Sequence, residues 1–163
     1  MVKNCFKIKK SSLEIGKVIS DGENSIRSKD IVGDFTLMTK VGYLGLNIDF
    51  GTMQLASLDG FVGKVKPKTL KIETKNRENG SLILDAESKT FGRGIGYDFD
   101  FSGDVFYDEN SKCLLVGKTE CDKQIKLGEN VTALLKNSEN DNYALNGIFI
   151  ENIELKKICE NEK

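Results

Sequence analysis

Apolar residues along this chain recur at every second position, in short runs that stop at turn-forming dipeptides, and that period admits strands rather than helices. Phe6 and Ile8 alternate with Lys7 and Lys9, while Leu44, Leu46, Ile48 and Phe50 alternate with Gly45, Asn47 and Asp49. Leu70 and Ile72 alternate with Lys71 and Glu73, and Leu82, Leu84 and Ala86 share a face opposite Ile83, Asp85 and Glu87. Between such runs stand Asp21-Gly22, Asp59-Gly60, Asn79-Gly80 and Ser102-Gly103, whose residues accept the positive φ of tight hairpins. Successive strands are therefore expected to pair antiparallel.

Helical spacing persists over no window longer than about ten residues. At the tail, Ile150, Ile153, Glu154 and Ile158 fit one or two helical turns, or a strand whose alternation changes phase at a bulge near Glu151-Asn152; the bulge is the preferred reading. The polar stretch 136–142 reads as an exposed loop between strands near 131–135 and 143–150. With no composition break, residues 1–163 are expected to form a single all-β domain of about ten to thirteen short, mostly antiparallel strands with little helix. A two-sheet sandwich and a closed barrel both answer the problem of unpaired sheet edges.

Charge narrows the partners. The 24 basic and 25 acidic residues of the 163 leave a net charge of -1, and the arginines are Arg27, Arg77 and Arg93. Nucleic-acid binding draws on a net basic surface and guanidinium forks, so no nucleic-acid partner is expected. No run approaches the roughly 18 apolar residues of a membrane span. The lysine-rich start, residues 1–10, is followed by no apolar stretch of the kind a signal peptide carries. The expected setting is cytoplasmic, without a membrane partner. Cys5, Cys113, Cys121 and Cys159 include no C-x-x-C pair and read as free, mostly buried thiols. In an oxidising compartment, Cys113 with Cys121 on neighbouring strands, or Cys5 with Cys159, are the pairs to test.

The chain contains no histidine, which removes Ser-His-Asp and Cys-His catalysis and the commonest metal ligand. A Ser-Lys arrangement or a carboxylate pair remains open. Phe91-Gly-Arg-Gly-Ile-Gly96 spaces its glycines G-x-G-x-G. A dinucleotide loop needs G-x-G-x-x-G leading into a helix, so this string reads as the bulged entry to a strand.

The segment 98–109 places Asp98, Asp100 and Ser102 at its first, third and fifth positions, Gly103 sixth, Val105 eighth and Glu109 twelfth. In that pattern it resembles an EF-hand calcium loop, which implies a hard cation held by carboxylate oxygens. It departs from the family where the entering helix belongs, at Gly92, Gly94 and Gly96. The alternation offers a different account. Tyr97, Phe99 and Phe101 share the buried face of a strand, Asp98 and Asp100 share the wet face, and Ser102-Gly103 turns the chain into a partner strand through Tyr107. On that account no metal and no cofactor is expected.

Tyr97, Asp98, Asp100, Asp104 and Tyr107 are the candidate ligand-binding residues of this segment, and no catalytic residue is identifiable. The leading functional expectation is a non-catalytic interaction module for a protein partner. Next stands a β-barrel holding a small hydrophobic or sugar-like ligand. A carboxylate-based hydrolase comes third, resting on Asp98 and Asp100 with Cα atoms about 6.5–7 Å apart along one strand.

Overall fold

The computed structural model describes residues 1–74 and 76–156. The strands in chain order are β1 (Phe6–Lys9), β2 (Val18–Ser20), β3 (Ser25–Ser28), β4 (Phe35–Met38), β5 (Gly45–Ile48), β6 (Leu55–Phe61), β7 (Val65–Pro67), β8 (Glu78–Asn79), β9 (Ser81–Leu84), β10 (Gly96–Asp98), β11 (Val105–Asp108), β12 (Cys113–Gly117), β13 (Lys123–Lys126), β14 (Val131–Asn137) and β15 (Tyr143–Ile150). Fifteen strands exceed the ten to thirteen expected, because three-residue pieces such as β7 and β10 are too short to show a period. The helical content among the described residues is two single 3₁₀ turns, at Ser88–Thr90 and Glu139–Asp141. None of it is long and apolar enough to cross a membrane.

Two sheets hold these strands. Six run in the order β10-β4-β5-β6-β3-β2, and nine form the path β7-β11-β12-β15-β14-β13-β8, with β1 bridging β15 and β9. Pairing is antiparallel except for β10 on β4, β11 on β7 and β13 on β8. The sheets do not close into a barrel, which corrects one of the two expected architectures. Among the described residues the ladder pairing between their margins is limited to isolated bridges, Val2 with Phe99, Ile15 with Gly128 and Gln54 with Ile83, where closure demands continuous ladders. The outer strands are kept from templating further chains by brevity, by Pro67 and by charge at Glu78.

One apolar core takes Leu37, Leu46 and Leu58 from the six-stranded sheet and Leu82, Leu114 and Ile148 from the other. Phe6 and Phe99 meet edge-on within it, their ring centres 5.9 Å apart. A smaller cluster of Leu70, Leu115, Leu134 and Phe149 lies on the opposite face of the nine-stranded sheet. Strand β14 is consequently buried on both faces over Val131, Thr132, Ala133, Leu134 and Leu135. Its near-continuous apolar run is what burial on both sides requires.

The turns sort into one that matches and three that do not. Asp21-Gly22 joins β2 to β3 as an antiparallel hairpin. Asp59-Gly60 lies inside β6. Asn79-Gly80 carries the chain from parallel pairing with β13 to antiparallel pairing with β1, and Ser102-Gly103 leads from one sheet to the other. The hairpin expected from Tyr97 to Tyr107 therefore does not form: β10 pairs with β4, whereas β11 pairs with β12 and β7. Leu70 and Ile72 belong to no strand, and cross the nine-stranded sheet as irregular chain whose apolar side chains reach the smaller cluster. At the tail β15 ends at Ile150, Asn152 bends the chain with a φ of 50°, and no strand resumes through residue 156; Ile158 lies outside the described residues. Of the polar stretch 136–142, Lys136 and Asn137 still belong to β14 and pair with β15, and residues 138–142 join the two strands, turning on Asn140 and Asp141 with positive φ.

Candidate functional site

Alternation in the six-stranded sheet sends Leu37, Leu46 and Leu58 into the core and leaves their neighbours on an outer face. The register aligns one row straight across that face: Asp98, Met38, Gly45, Asp59, Arg27 and Ile19. A second row holds Gly96, Thr36, Asn47 and Ser57.

At one end of the face two aromatic residues stand in water. Tyr43 is 74% exposed and Phe61 42% exposed. They are held side by side by a hydrogen bond from the Tyr43 amide to the Phe61 carbonyl at 2.6 Å, with ring centres 6.5 Å apart. The backbone between them explains the display. Gly60 has a φ of +139°, and a Cβ on it would lie 2.1 Å from the Tyr43 carbonyl oxygen. Only glycine permits so close a crossing, and it leaves β5 and β6 pressed together with both rings turned outward.

The other end of the face is covered by the loop between β3 and β4. Val32 donates its amide to Ser57 Oγ at 3.1 Å, and a Cβ on Gly33 would come within 2.7 Å of Asn47 Cβ. Beneath the loop Asn47 Oδ1 accepts from Thr36 Oγ1 at 2.7 Å, while its Nδ2 donates to Ser57 Oγ at 2.9 Å and to Asp59 Oδ1 at 3.0 Å. This satisfied polar network keeps the loop seated. On top, Ile31 and Val32 remain about half exposed, at 49% and 52%. Asp34, where the loop ends, pairs with Arg93, whose guanidinium lies 5.2 Å from the centre of the Phe50 ring.

The five residues singled out from the sequence do not make one site. Tyr97 is half-buried in an aromatic cluster, edge-on to Phe91 at 5.0 Å and to Phe35 at 5.9 Å, and its hydroxyl accepts the Gly92 amide at 2.5 Å. Asp98 is exposed at the edge of the outer face, and Asp100 is exposed two residues on. Asp104 lies by the other sheet and pairs with Lys66 at 3.4 Å. Tyr107 is buried in the core, its hydroxyl donating to the Ile153 carbonyl at 2.7 Å. Tyr97 and Asp98 share a shallow cleft of about 550 Å³ with Val2, Lys3, Thr90 and Phe91.

The segment 98–109 is likewise divided, because Val105–Asp108 is strand β11 rather than calcium loop. Its perturbed acid is one the calcium pattern does not use. Asp108 is held below the ordinary carboxylate value chiefly by the Leu70 amide, which donates to Oδ2 at 2.9 Å, against the opposing effect of burial. The Ser111 and Asn110 amides add to it, donating to Oδ1 at 3.3 and 3.1 Å. Among the described residues no group of three or more acids and cysteines stands close enough to hold a metal ion.

The thiols of Cys5, Cys113 and Cys121 are free, Cys5 being buried and the others half-buried. Cys113 opens β12 and Cys121 lies in the loop beyond its far end, so the two do not sit on neighbouring strands. Cys159 lies outside the described residues.

Tyr43, Phe61 and Met38 were missed in the sequence. The signal for Tyr43 was present, since extending the Leu44, Leu46, Ile48 alternation back by one residue puts it on the polar face. Comparison of the chain with protein families, curated proteins and solved structures found no match.

Proposed function

We propose that this chain is a non-catalytic interaction module that engages a protein partner through the outer face of its six-stranded sheet. The observation that carries the reading is the pair Tyr43 and Phe61, two aromatic side chains presented to solvent side by side, Tyr43 in the turn before β5 and Phe61 at the end of β6. Exposed aromatic surface on a sheet is costly to leave in water, and aromatic residues dominate the energetics of protein interfaces. Ile31 and Val32 add exposed aliphatic surface to the same face. The glycine crossing at Gly60 supports the reading, because it holds the two rings on a rigid element and so lowers the ordering cost of binding.

A second reading draws on the cleft beside β10, where Tyr97, Phe91 and Asp98 combine aromatic and carboxylate groups of the kind that hold a small sugar-like molecule. One experiment separates the two. The wild-type chain and a Tyr43→Ser, Phe61→Ser variant are purified under native conditions and their companions identified by mass spectrometry. A stoichiometric protein that accompanies the wild type and is lost from the folded variant supports the module. A small molecule retained by both moves the function to the cleft.

A further inference from the structure

The row Asp98, Met38, Gly45, Asp59 runs straight across β10, β4, β5 and β6. Neither aspartate has an ion-pair partner among the described residues, and Asp100, exposed beyond β10, has none either. Arg27, the next residue in the row, turns instead to Asp21, with Nε 3.3 Å from its carboxylate. Asp59 accepts a hydrogen bond from Asn47 and otherwise faces outward, half-exposed. Lys40, two residues beyond β4, and Lys64, three residues beyond β6, are exposed lysines toward the aromatic end of the face. The acids thus flank half-buried Met38 and, beside it, Gly45, which is buried in the floor of the row, with Tyr43 and Phe61 one row away.

We infer that the partner bound by this face is a cationic, extended peptide segment whose basic residues are four apart, with an apolar residue between them. The inference rests on the proposed function and adds the partner's chemistry to it. Three strand spacings of roughly 4.8 Å place Asp98 and Asp59 about 14 Å apart. In an extended peptide, residues i and i+4 lie about 13–14 Å apart on the same side. A peptide crossing the strands therefore sets Lys or Arg at i and i+4 over the two aspartates, and its residue i+2 over Met38. Charge complementarity of this kind sets orientation and encounter rate, and it weakens with salt. The aromatic pair supplies the apolar contact alongside.

The test uses the full chain and three synthetic twelve-residue peptides of the same aromatic and aliphatic content, carrying lysine, glutamine or glutamate at positions i and i+4. Affinity is read by fluorescence anisotropy, and the site by backbone amide shifts in nuclear magnetic resonance. The expected result is binding of the lysine peptide at least about tenfold tighter than the glutamine peptide, shifts centred on Met38, Tyr43 and Phe61, and loss of that advantage in Asp59→Asn, Asp98→Asn. Equal binding of all three peptides at those residues overturns the cationic partner while leaving the sheet face as the interaction surface. Shifts centred elsewhere, or no saturable binding by any peptide, overturn both.

Discussion

The side-chain amide of Asn130 takes both backbone polar groups of Val18: its Oδ1 accepts the Val18 amide at 2.8 Å and its Nδ2 donates to the Val18 carbonyl at 2.8 Å. The same Nδ2 reaches the Glu151 carbonyl at 2.8 Å, and the Glu151 amide returns to the Asn130 carbonyl. One asparagine, 2% exposed, thus substitutes for a strand residue between the edge of the six-stranded sheet and the end of the nine-stranded one. Asn4 plays a similar part, since Leu145 of β15 exchanges two hydrogen bonds with its amide while the same Nδ2 donates to the Asp100 carbonyl, just beyond β10, at 3.0 Å. Sheets that do not close into a barrel are joined at their margins by side chains that imitate backbone.

Replacing Asn130 with Ala leaves the Val18 amide and carbonyl buried without partners. Each such orphan costs about 1–3 kcal/mol, so Asn130→Ala is expected to lose roughly 3–5 kcal/mol in urea unfolding at an unchanged slope. Asn130→Asp keeps an acceptor for the Val18 amide but loses the donor, and is expected to remain clearly destabilised at neutral pH. A loss below about 1 kcal/mol for the alanine variant refutes the clasp.

Phe99 and its acidic neighbours are expected to behave as opposites. Phe99 is fully buried against Phe6, and its truncation to Ala should cost about 3–5 kcal/mol. Asp98 and Asp100 are exposed, and changing both to Asn should stay within about 0.5 kcal/mol. Chemical denaturation of each variant checks the contrast. Large destabilisation by the aspartate changes contradicts an outward, solvated placement.

The alternation around Phe99 shows how far sequence reasoning reached. It placed Phe99 and Phe101 inside and Asp98 and Asp100 outside, because side-chain direction in extended chain depends only on neighbours. It could not show that Tyr97 and Tyr107 belong to different sheets, because the partner of a strand is chosen by distant residues. Ser102-Gly103 has the chemistry of a hairpin turn and serves as a crossing between sheets. Asp59-Gly60 has the same chemistry, and the positive φ of Gly60 is spent inside a strand on close approach to Tyr43. That misreading hid the outward Phe61, so the aromatic pair of the candidate site stayed out of view. Asn130 carried no signal at all, since a buried polar clasp has no period.

Calcium offers a direct check on the divided segment 98–109. With Val105–Asp108 committed to a ladder with β12, its oxygens do not converge as the loop pattern requires. Millimolar calcium is expected to leave the melting temperature unchanged, whereas a ligand specific to the folded state at a hundred times its dissociation constant adds about 2.7 kcal/mol. A rise of several degrees reversed by chelator, and abolished by Glu109→Gln, contradicts this arrangement.

Acid stability is expected to report on Asp108, which secures the irregular chain near Leu70 over the smaller apolar cluster. Three backbone amides at Leu70, Asn110 and Ser111 donate to its carboxylate and hold its pKa below 3.8 in the folded protein. A carboxylate with a depressed folded-state pKa contributes stability that is fully present above its unfolded value, near 3.9, and is lost as pH falls through the folded value. The wild type should therefore lose this contribution progressively below about pH 4. Asp108→Asn removes the titrating group, leaves an oxygen to accept from Leu70, and is expected to be less stable than wild type at neutral pH. The gap between the two proteins should narrow as the pH drops from about 5 toward 2. Urea midpoints across that range measure it, with hydrogen exchange at Leu70 as the local readout. A gap that stays constant over the range means that the carboxylate charge contributes nothing there, and that Leu70 is held by packing alone.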